Sequence, residues 1–158
     1  MSDDIYYLRK ARELTACSDD PSTKVGVVIT CPDTKRLIFG VNHIPVPRIM
    51  ETMPRDEKLE LIVHAEMGAI CTAARYGDKL NGSTMYMVAR SAVTGAYWGS
   101  APCLECAKHV IAAGIKRVVT VGGLPVTDRW FTSVSKGWNL LQEAGILYTE
   151  VDYAELTD

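Results

Sequence analysis

"EKLELIVHAEMGAICTAARYG" (residues 57–77) reads as a helix that is interrupted just before His64 and stopped by Gly77. A strand, "TMYMVA" (84–89), follows it. The alternation then repeats: a helix over 103–113 closing at Gly114, a strand "KRVVTV" (116–121), a helix near 133–144 ending at Gly145, and a strand "ILYTEV" (146–151). Helices between the last three strands are the crossovers that parallel pairing requires. Upstream, "VGVVIT" (25–30) and "RLIFGV" (36–41) flank the short "CPDTK" and are rich in β-branched residues, so they form an antiparallel hairpin. Residues 3–16 give a first helix and "SDDPSTK" a turn. The order α-β-β-α-β-α-β-α-β predicts an α/β fold, a three-layer α/β/α sandwich around a mixed five-stranded sheet, in one domain over residues 1–158.

Composition sets outer limits on what this chain does. With 47% hydrophobic and 23% charged residues it is an ordinary globular sequence, without repeats, low-complexity runs or an interdomain linker. A formal net charge of −2 leaves no electrostatic footprint for non-specific nucleic-acid binding and argues against a nucleic-acid substrate. No apolar run approaches the ~20 residues needed to span a bilayer. The start, "MSDDIYYLRKARELTA", has no basic region followed by an apolar core, so a cytoplasmic location is expected. There the five cysteines stay reduced, and an odd count with one Cys-x-x-Cys pair suits a metal site plus spare thiols.

His64 and Glu66 break into the apolar stretch "IVHAEMGAI" (62–70), and buried ionisable groups are costly unless they are paired or bound to a metal. Their answer lies downstream in "APCLECAKHV" (101–110). Cys103 and Cys106, at i and i+3, share one helix face and reach one ion. Pro102 suits a helix start, and a helix N-terminus lowers thiol pKa. One imidazole and two thiolates make three ligands, the count of a catalytic zinc site with a fourth position open to water. In mid-helix, residues i and i+2 point about 200° apart. At the first turn, where the helix end is itself the site, both His64 and Glu66 can flank it. Glu66 then has the role of carrying a proton from water to substrate, which is the chemistry of hydrolytic deamination. His-x-Glu followed by Pro-Cys-x-x-Cys is the pattern common to the zinc deaminases.

With those motifs in hand, the chain resembles the deoxycytidylate (dCMP) deaminase family of the cytidine deaminase superfamily. "DPSTKVGVVIT", "HAEMGAI", "GSTMY" and "PCLECAKHVIAAGIKRVV" each resemble a family segment, in order, over most of residues 8–121. The resemblance implies a cytidine deaminase-like fold and hydrolysis of dCMP to dUMP and ammonia, in pyrimidine nucleotide metabolism. It implies His64, Cys103 and Cys106 as ligands of Zn2+ and Glu66 as proton shuttle. Asn42, in "FGVNHIP", is similar to an asparagine that contacts the substrate sugar, and the backbone at Ala65 and Ala101 is expected to bond the cytosine edge. It further implies a homo-oligomer, hexameric by preference, and a response to dCTP and dTTP.

Departures from the family leave an alternative open: the same chemistry on cytidine, deoxycytidine, a modified dCMP, guanine or a base in RNA. A non-catalytic zinc-binding module is the remaining reading, and Glu66 speaks against it. The family has asparagine where this chain has Gly68, and glycine where it has His43. The connection 88–101, "VARSAVTGAYWGSA", is longer than the family's, and with only three histidines in the chain a histidine-rich second zinc site has no counterpart. Tyr97 and Trp98 in that connection are candidates for stacking on a pyrimidine, and His43 is a candidate substrate contact. A phosphate needs a cation, for which Lys24, Arg48, Arg55 and Arg90 are the loop candidates. Cys71, about 10 Å from His64 along a helix, reads as a core thiol, Cys17 and Cys31 as ordinary cysteines, and His109 as a surface or interface residue. The long loop "NHIPVPRIMETMPRD" (42–56) lacks periodicity and reads as functional or mobile.

Overall fold

The computed structural model describes residues 3–157. Its elements are α1 (Asp3–Leu14), β1 (Thr23–Thr30), β2 (Leu37–Val41), α2 (Arg55–Leu61), α3 (Ala65–Tyr76), β3 (Thr84–Ser91), β4 (Tyr97–Trp98), α4 (Leu104–Ala112), β5 (Arg117–Val121), α5 (Phe131–Glu143) and β6 (Leu147–Val151). The sheet order is β2-β1-β3-β5-β6, and the short β4 adds a sixth strand beside β3. β1 pairs antiparallel with β2 and β3, whereas β3, β5 and β6 are parallel. The expected mixed sheet is therefore present. No helix among the described residues is long and apolar enough to cross a membrane.

Two apolar layers cover the sheet. On one face Ile5, Leu8 and Ala11 of α1 meet Val28, Tyr86, Val88, Val119 and Val121, with Leu156 beside them. On the other, Ala65, Ala69 and Ala73 of α3, Ala107 and Val110 of α4 and Leu141 of α5 meet Val27, Ile29, Met85, Met87 and Val118. Alternate residues of β1 thus enter opposite layers, as the two-residue strand period demands.

Gly77, Gly114 and Gly145 take positive φ of 74°, 81° and 72° at the ends of α3, α4 and α5, where the sequence puts its stops. The first helix is shorter than expected, because Thr15–Cys17 tightens into a 3-10 turn. Within the long loop, Met50–Thr52 forms another such turn.

Two expectations are corrected. The connection after β3 is not a plain loop: β3 runs on to Ser91, turns through Gly95, whose N–H bonds the Ser91 carbonyl at 2.9 Å, and returns as β4. Cys71 is not a core thiol but exposed. A count from His64 places Cys71 on the inner face only if both lie on one helix. His64 instead precedes the helix in extended conformation, and the buried face of α3 follows Ala65, Ala69 and Ala73.

β2 and β3 point the same way, so the helices that follow them, α3 and α4, both begin at one end of the sheet. That shared end positions the site.

Candidate active site

The break before His64 has a visible cause. His43 and Val63 form an isolated antiparallel bridge, with reciprocal backbone bonds of 3.1 and 2.8 Å. The bridge stops α2 and holds residues 62–64 extended, so His64 becomes the N-cap of α3 with ψ 152°. Across from it Cys103 is the N-cap of α4 with ψ 163°, and Cys106 lies one turn further on. Two helix N-termini therefore converge, each contributing the field that favours negative charge.

His64 Nδ1 lies 3.5 Å from Cys103 Sγ and 3.4 Å from Cys106 Sγ. All three ligand atoms fall within 4.8 Å of one another. Tetrahedral zinc with Zn–S near ~2.3 Å and Zn–N near ~2.05 Å needs N···S separations of about 3.5 Å, so the group fits that ion. Proton sharing in the cluster points the same way. Hydrogen bonds from Cys106 and His64 pull the Cys103 thiol down to about 4, a thiolate at neutral pH. That thiolate in turn raises His64 to about 9 and pushes the Cys106 thiol upward.

Glu66 stands in the first turn of α3, only 5% exposed. Burial raises its carboxyl above the ordinary range, against the opposing pull of His64. A carboxyl so placed holds a proton more readily than a free one and is suited to taking a proton and giving it back.

His64, Glu66 and Cys103 border a cavity of about 800 Å³, its open mouth included. Asn42, Ala65, Trp98 and Ala101 line it, as do His64, Glu66 and Cys103. Lys24, His43 and Tyr97 do not. Lys24 lies on β1 and donates its ammonium to the Ser18 carbonyl. The His43 ring Nδ1 is 2.8 Å from the Val41 carbonyl. Tyr97 and Trp98 are adjacent on β4, so only one of them faces the cavity; Tyr97 stacks instead on Tyr153, with ring centroids 5.4 Å apart. Arg48, Arg55 and Arg90 are also off the lining. Arg48 pairs with Glu57 at 3.2 Å, and Arg90 lies over Tyr97.

Among the lining residues that the sequence does not single out are Asp20, Lys58, Arg129 and Trp130. Asp20 and Lys58 form a buried ion pair at 2.9 Å. Asp20 also accepts from the backbone N–H of Ser22 and Thr23 at 2.8 and 3.2 Å and from Asn42 Nδ2 at 3.4 Å. The Asn42 amide is thereby fixed: Nδ2 donates to the Thr23 carbonyl at 2.7 Å, while Oδ1 accepts from Val25 N–H at 2.8 Å. What Asn42 has left to offer a ligand is an acceptor lone pair. Trp130 meets the His64 ring edge-on, centroids 6.1 Å apart. One signal did exist for Arg129 and Trp130, since loops at the carboxyl ends of parallel strands are where α/β sheets bind ligands, and theirs follows β5.

α5 closes the back of the site. A Cβ on Gly137 would sit 2.1 Å from the Pro102 carbonyl oxygen, so only glycine lets α5 approach the Pro-Cys turn this closely. Ser133 Oγ, four residues earlier, accepts the first N–H of α4, from Leu104, at 3.2 Å.

A model of the cytidine and deoxycytidylate deaminase zinc-binding region matches residues 1–122. Deoxycytidylate deaminase of Mus musculus is 30% identical over 122 residues, covering 72% of this chain and 61% of that protein. The human enzyme is 29% identical over the same length and coverage. The chain thus spans about three fifths of these relatives. ComE operon protein 2 of Bacillus subtilis (strain 168) is 23% identical over 156 residues, covering 96% of this chain and 72% of that protein. In fold, the chain is similar to dCMP deaminase from the cyanophage S-TIM5 in complex with dCMP and dUMP. The TM-score is 0.68 at 20% identity, covering 96% of this chain and 99% of that one. The zinc-binding match and the His/Cys/Cys geometry together identify Zn2+ as the cofactor.

Proposed function

The chain belongs to the cytidine and deoxycytidylate deaminase family, and on that premise we propose that it hydrolyses the C4 amino group of dCMP, yielding dUMP and ammonia. His64, Cys103 and Cys106 hold the zinc. The observation that carries the reading is Glu66, buried and aimed into the cavity beside the three ligand groups. A structural metal has no need of such a group. Support for dCMP as substrate comes from the names of the relatives matched at about 30% identity.

Zinc, when bound, supplies an activated water at neutral pH, because it lowers the pKa of water towards ~7. The remaining work belongs to the chain. Glu66 takes the proton released as water attacks C4 and delivers it to N3, then takes the remaining proton of the added hydroxyl and passes it to the departing amine. Backbone groups at Ala65 and Ala101 hold the cytosine edge. The Asn42 carbonyl accepts from a sugar hydroxyl, the one polarity its own bonds leave free. Apolar walls from Val25, Leu59, Ile62 and Trp98 exclude bulk water. Homo-oligomeric assembly and control by dCTP and dTTP belong to the same proposal.

Ammonia release by zinc-loaded protein from dCMP, CMP, deoxycytidine, 5-substituted dCMP, guanine and adenosine tests it. Selective turnover of dCMP is expected; selective turnover of another compound would keep the site and move the substrate. Glu66→Gln should retain zinc and lose about 10²–10⁴ in kcat, and a near-normal rate would remove Glu66 from its role.

A further inference from the structure

We propose that Asp20 is a positioning residue for the deamination: together with Lys58 it locks the Asn42 amide as a pure acceptor, so that the cavity selects a ligand whose sugar offers a free hydroxyl. The inference rests on the reading above, in which Asn42 takes the sugar. Asp20, Lys58 and Asn42 all line the cavity and are only 3%, 6% and 6% exposed. A buried ion pair is a poor device for stabilising a fold, because well-packed apolar side chains of similar volume often do as well or better. The wall around this pair uses such side chains, among them Val25, Ile62 and Val134. α2 nevertheless gives its buried position to Lys58, while Leu59 and Leu61 are exposed. A charge kept where an apolar residue would serve the fold points to a task at the site.

The bonds define that task. Asp20 Oδ1 accepts the N–H of Ser22 at 2.8 Å and of Thr23 at 3.2 Å, which fixes the chain as it enters β1. Thr23 there presents its carbonyl to Asn42 Nδ2 at 2.7 Å, and Asp20 Oδ2 takes the second hydrogen of that nitrogen at 3.4 Å. Ser18 closes the ring, its hydroxyl donating to the Asn42 carbonyl at 3.0 Å and accepting the Asp20 N–H at 3.2 Å. Lys58 Nζ grips both Asp20 oxygens, at 2.9 and 3.1 Å. Both amide hydrogens of Asn42 are thus used, and Oδ1 already accepts from Val25 N–H. A rotated amide would set donor against donor at Val25 and acceptor against acceptor at both Thr23 and Asp20. One lone pair remains for a ligand, and a ligand without a hydroxyl leaves it unpaired in a buried wall.

The informative variant joins Asp20→Asn to Lys58→Met. The new amide oxygen keeps the bonds to Ser22 and Thr23, whereas its nitrogen replaces Oδ2 and meets Asn42 Nδ2 donor to donor; the methionine removes the cation as the anion goes. The test compares kcat/KM for dCMP and for its 2′,3′-dideoxy analogue in zinc-loaded wild type, this double variant, Asn42→Ala and the triple variant. Wild type should favour dCMP by about 5- to 100-fold, the cost of one unpaired buried group. The double variant should bind zinc and bring the ratio to within about threefold of one, through a raised KM for dCMP. Adding Asn42→Ala should then lower the ratio no further. If the double variant is too unstable to assay, Asp20→Asn alone is read by the same ratio. A ratio unchanged in a folded, zinc-loaded variant, a triple variant in which Asn42→Ala keeps its full separate effect, or a wild type indifferent to the hydroxyl would each overturn the proposal and leave the deaminase reading intact. A zinc-loaded wild type silent on both compounds would overturn the two together.

Discussion

The His43 ring occupies the space in front of Gly68: a Cβ built on Gly68 would meet His43 Cε1 at 3.4 Å and Nδ1 at 3.8 Å. Two of the positions at which the resemblance leads one to expect a different residue are thus neighbours, one side chain enlarged where the other is lost. The ring bonds the Val41 carbonyl, and its backbone bridges Val63, so the pair also braces the break that places His64.

Gly68→Ala should be tolerated or stabilise the protein by up to about 1 kcal/mol, because 3.4 Å is an ordinary contact and glycine is costly within a helix. Gly68→Asn should destabilise it, since the amide must grow into the imidazole, and His43→Gly should relieve that cost. Urea unfolding of the two single variants and the double gives the coupling, expected within about 0.5–3 kcal/mol. Strict additivity would show that the residues do not share one space.

Removing one half of the Asp20–Lys58 pair should be expensive. Lys58→Met leaves a carboxylate buried beside the cavity, with only Ser22, Thr23 and Asn42 to solvate it, and should cost about 3 kcal/mol. Adding Asp20→Asn should cost less than the sum of the two single changes. Denaturant midpoints measure both, and an effect of Lys58→Met within a few tenths of a kcal/mol would mean that the pair is solvated after all.

Metal uptake should release protons. At pH 7 His64, raised to about 9, and Cys106, raised further, each hold one, whereas Cys103 at about 4 holds none. Zinc must displace both, so about two protons should leave per ion, and apparent affinity should fall by on the order of 10⁴ between pH 8 and pH 6. The sign follows from the raised groups: protonation becomes more complete, and competes harder, as pH drops. Calorimetry in buffers of differing ionisation enthalpy counts the protons, and a count of zero would contradict the sharing described.

How far the sequence discloses this arrangement depends on how local each signal is. Gly77, Gly114 and Gly145 mark helix ends by their own chemistry, and the interruption before His64 is written into one run of residues. The His64–Cys103–Cys106 group is distant in sequence yet legible, because each motif is short and chemically unusual. Asp20 and Lys58 are neither; a common acid and a common base, they become a pair only when α2 is packed beside the turn before β1. Cys71 escapes a helical count from His64 because His64 itself is not helical. Tyr97 and Trp98 do not act as a pair, because a strand shows its neighbours to opposite faces, and β4 is too short, at two residues, to carry a period in the sequence.

Gly137 sets α5 against the Pro102 carbonyl, and Arg129, Trp130 and Val134 close the cavity from the same segment, all of it beyond residue 122, where the family match ends. During synthesis, at roughly 5–20 residues per second, the metal-binding side chains therefore exist for some seconds before their wall does. A shortened product ending with the match would carry each motif residue and still leave the cavity open on the side that Arg129, Trp130 and Val134 close. The wall that completes the cavity is made last, from the segment beyond the match to the zinc-binding region.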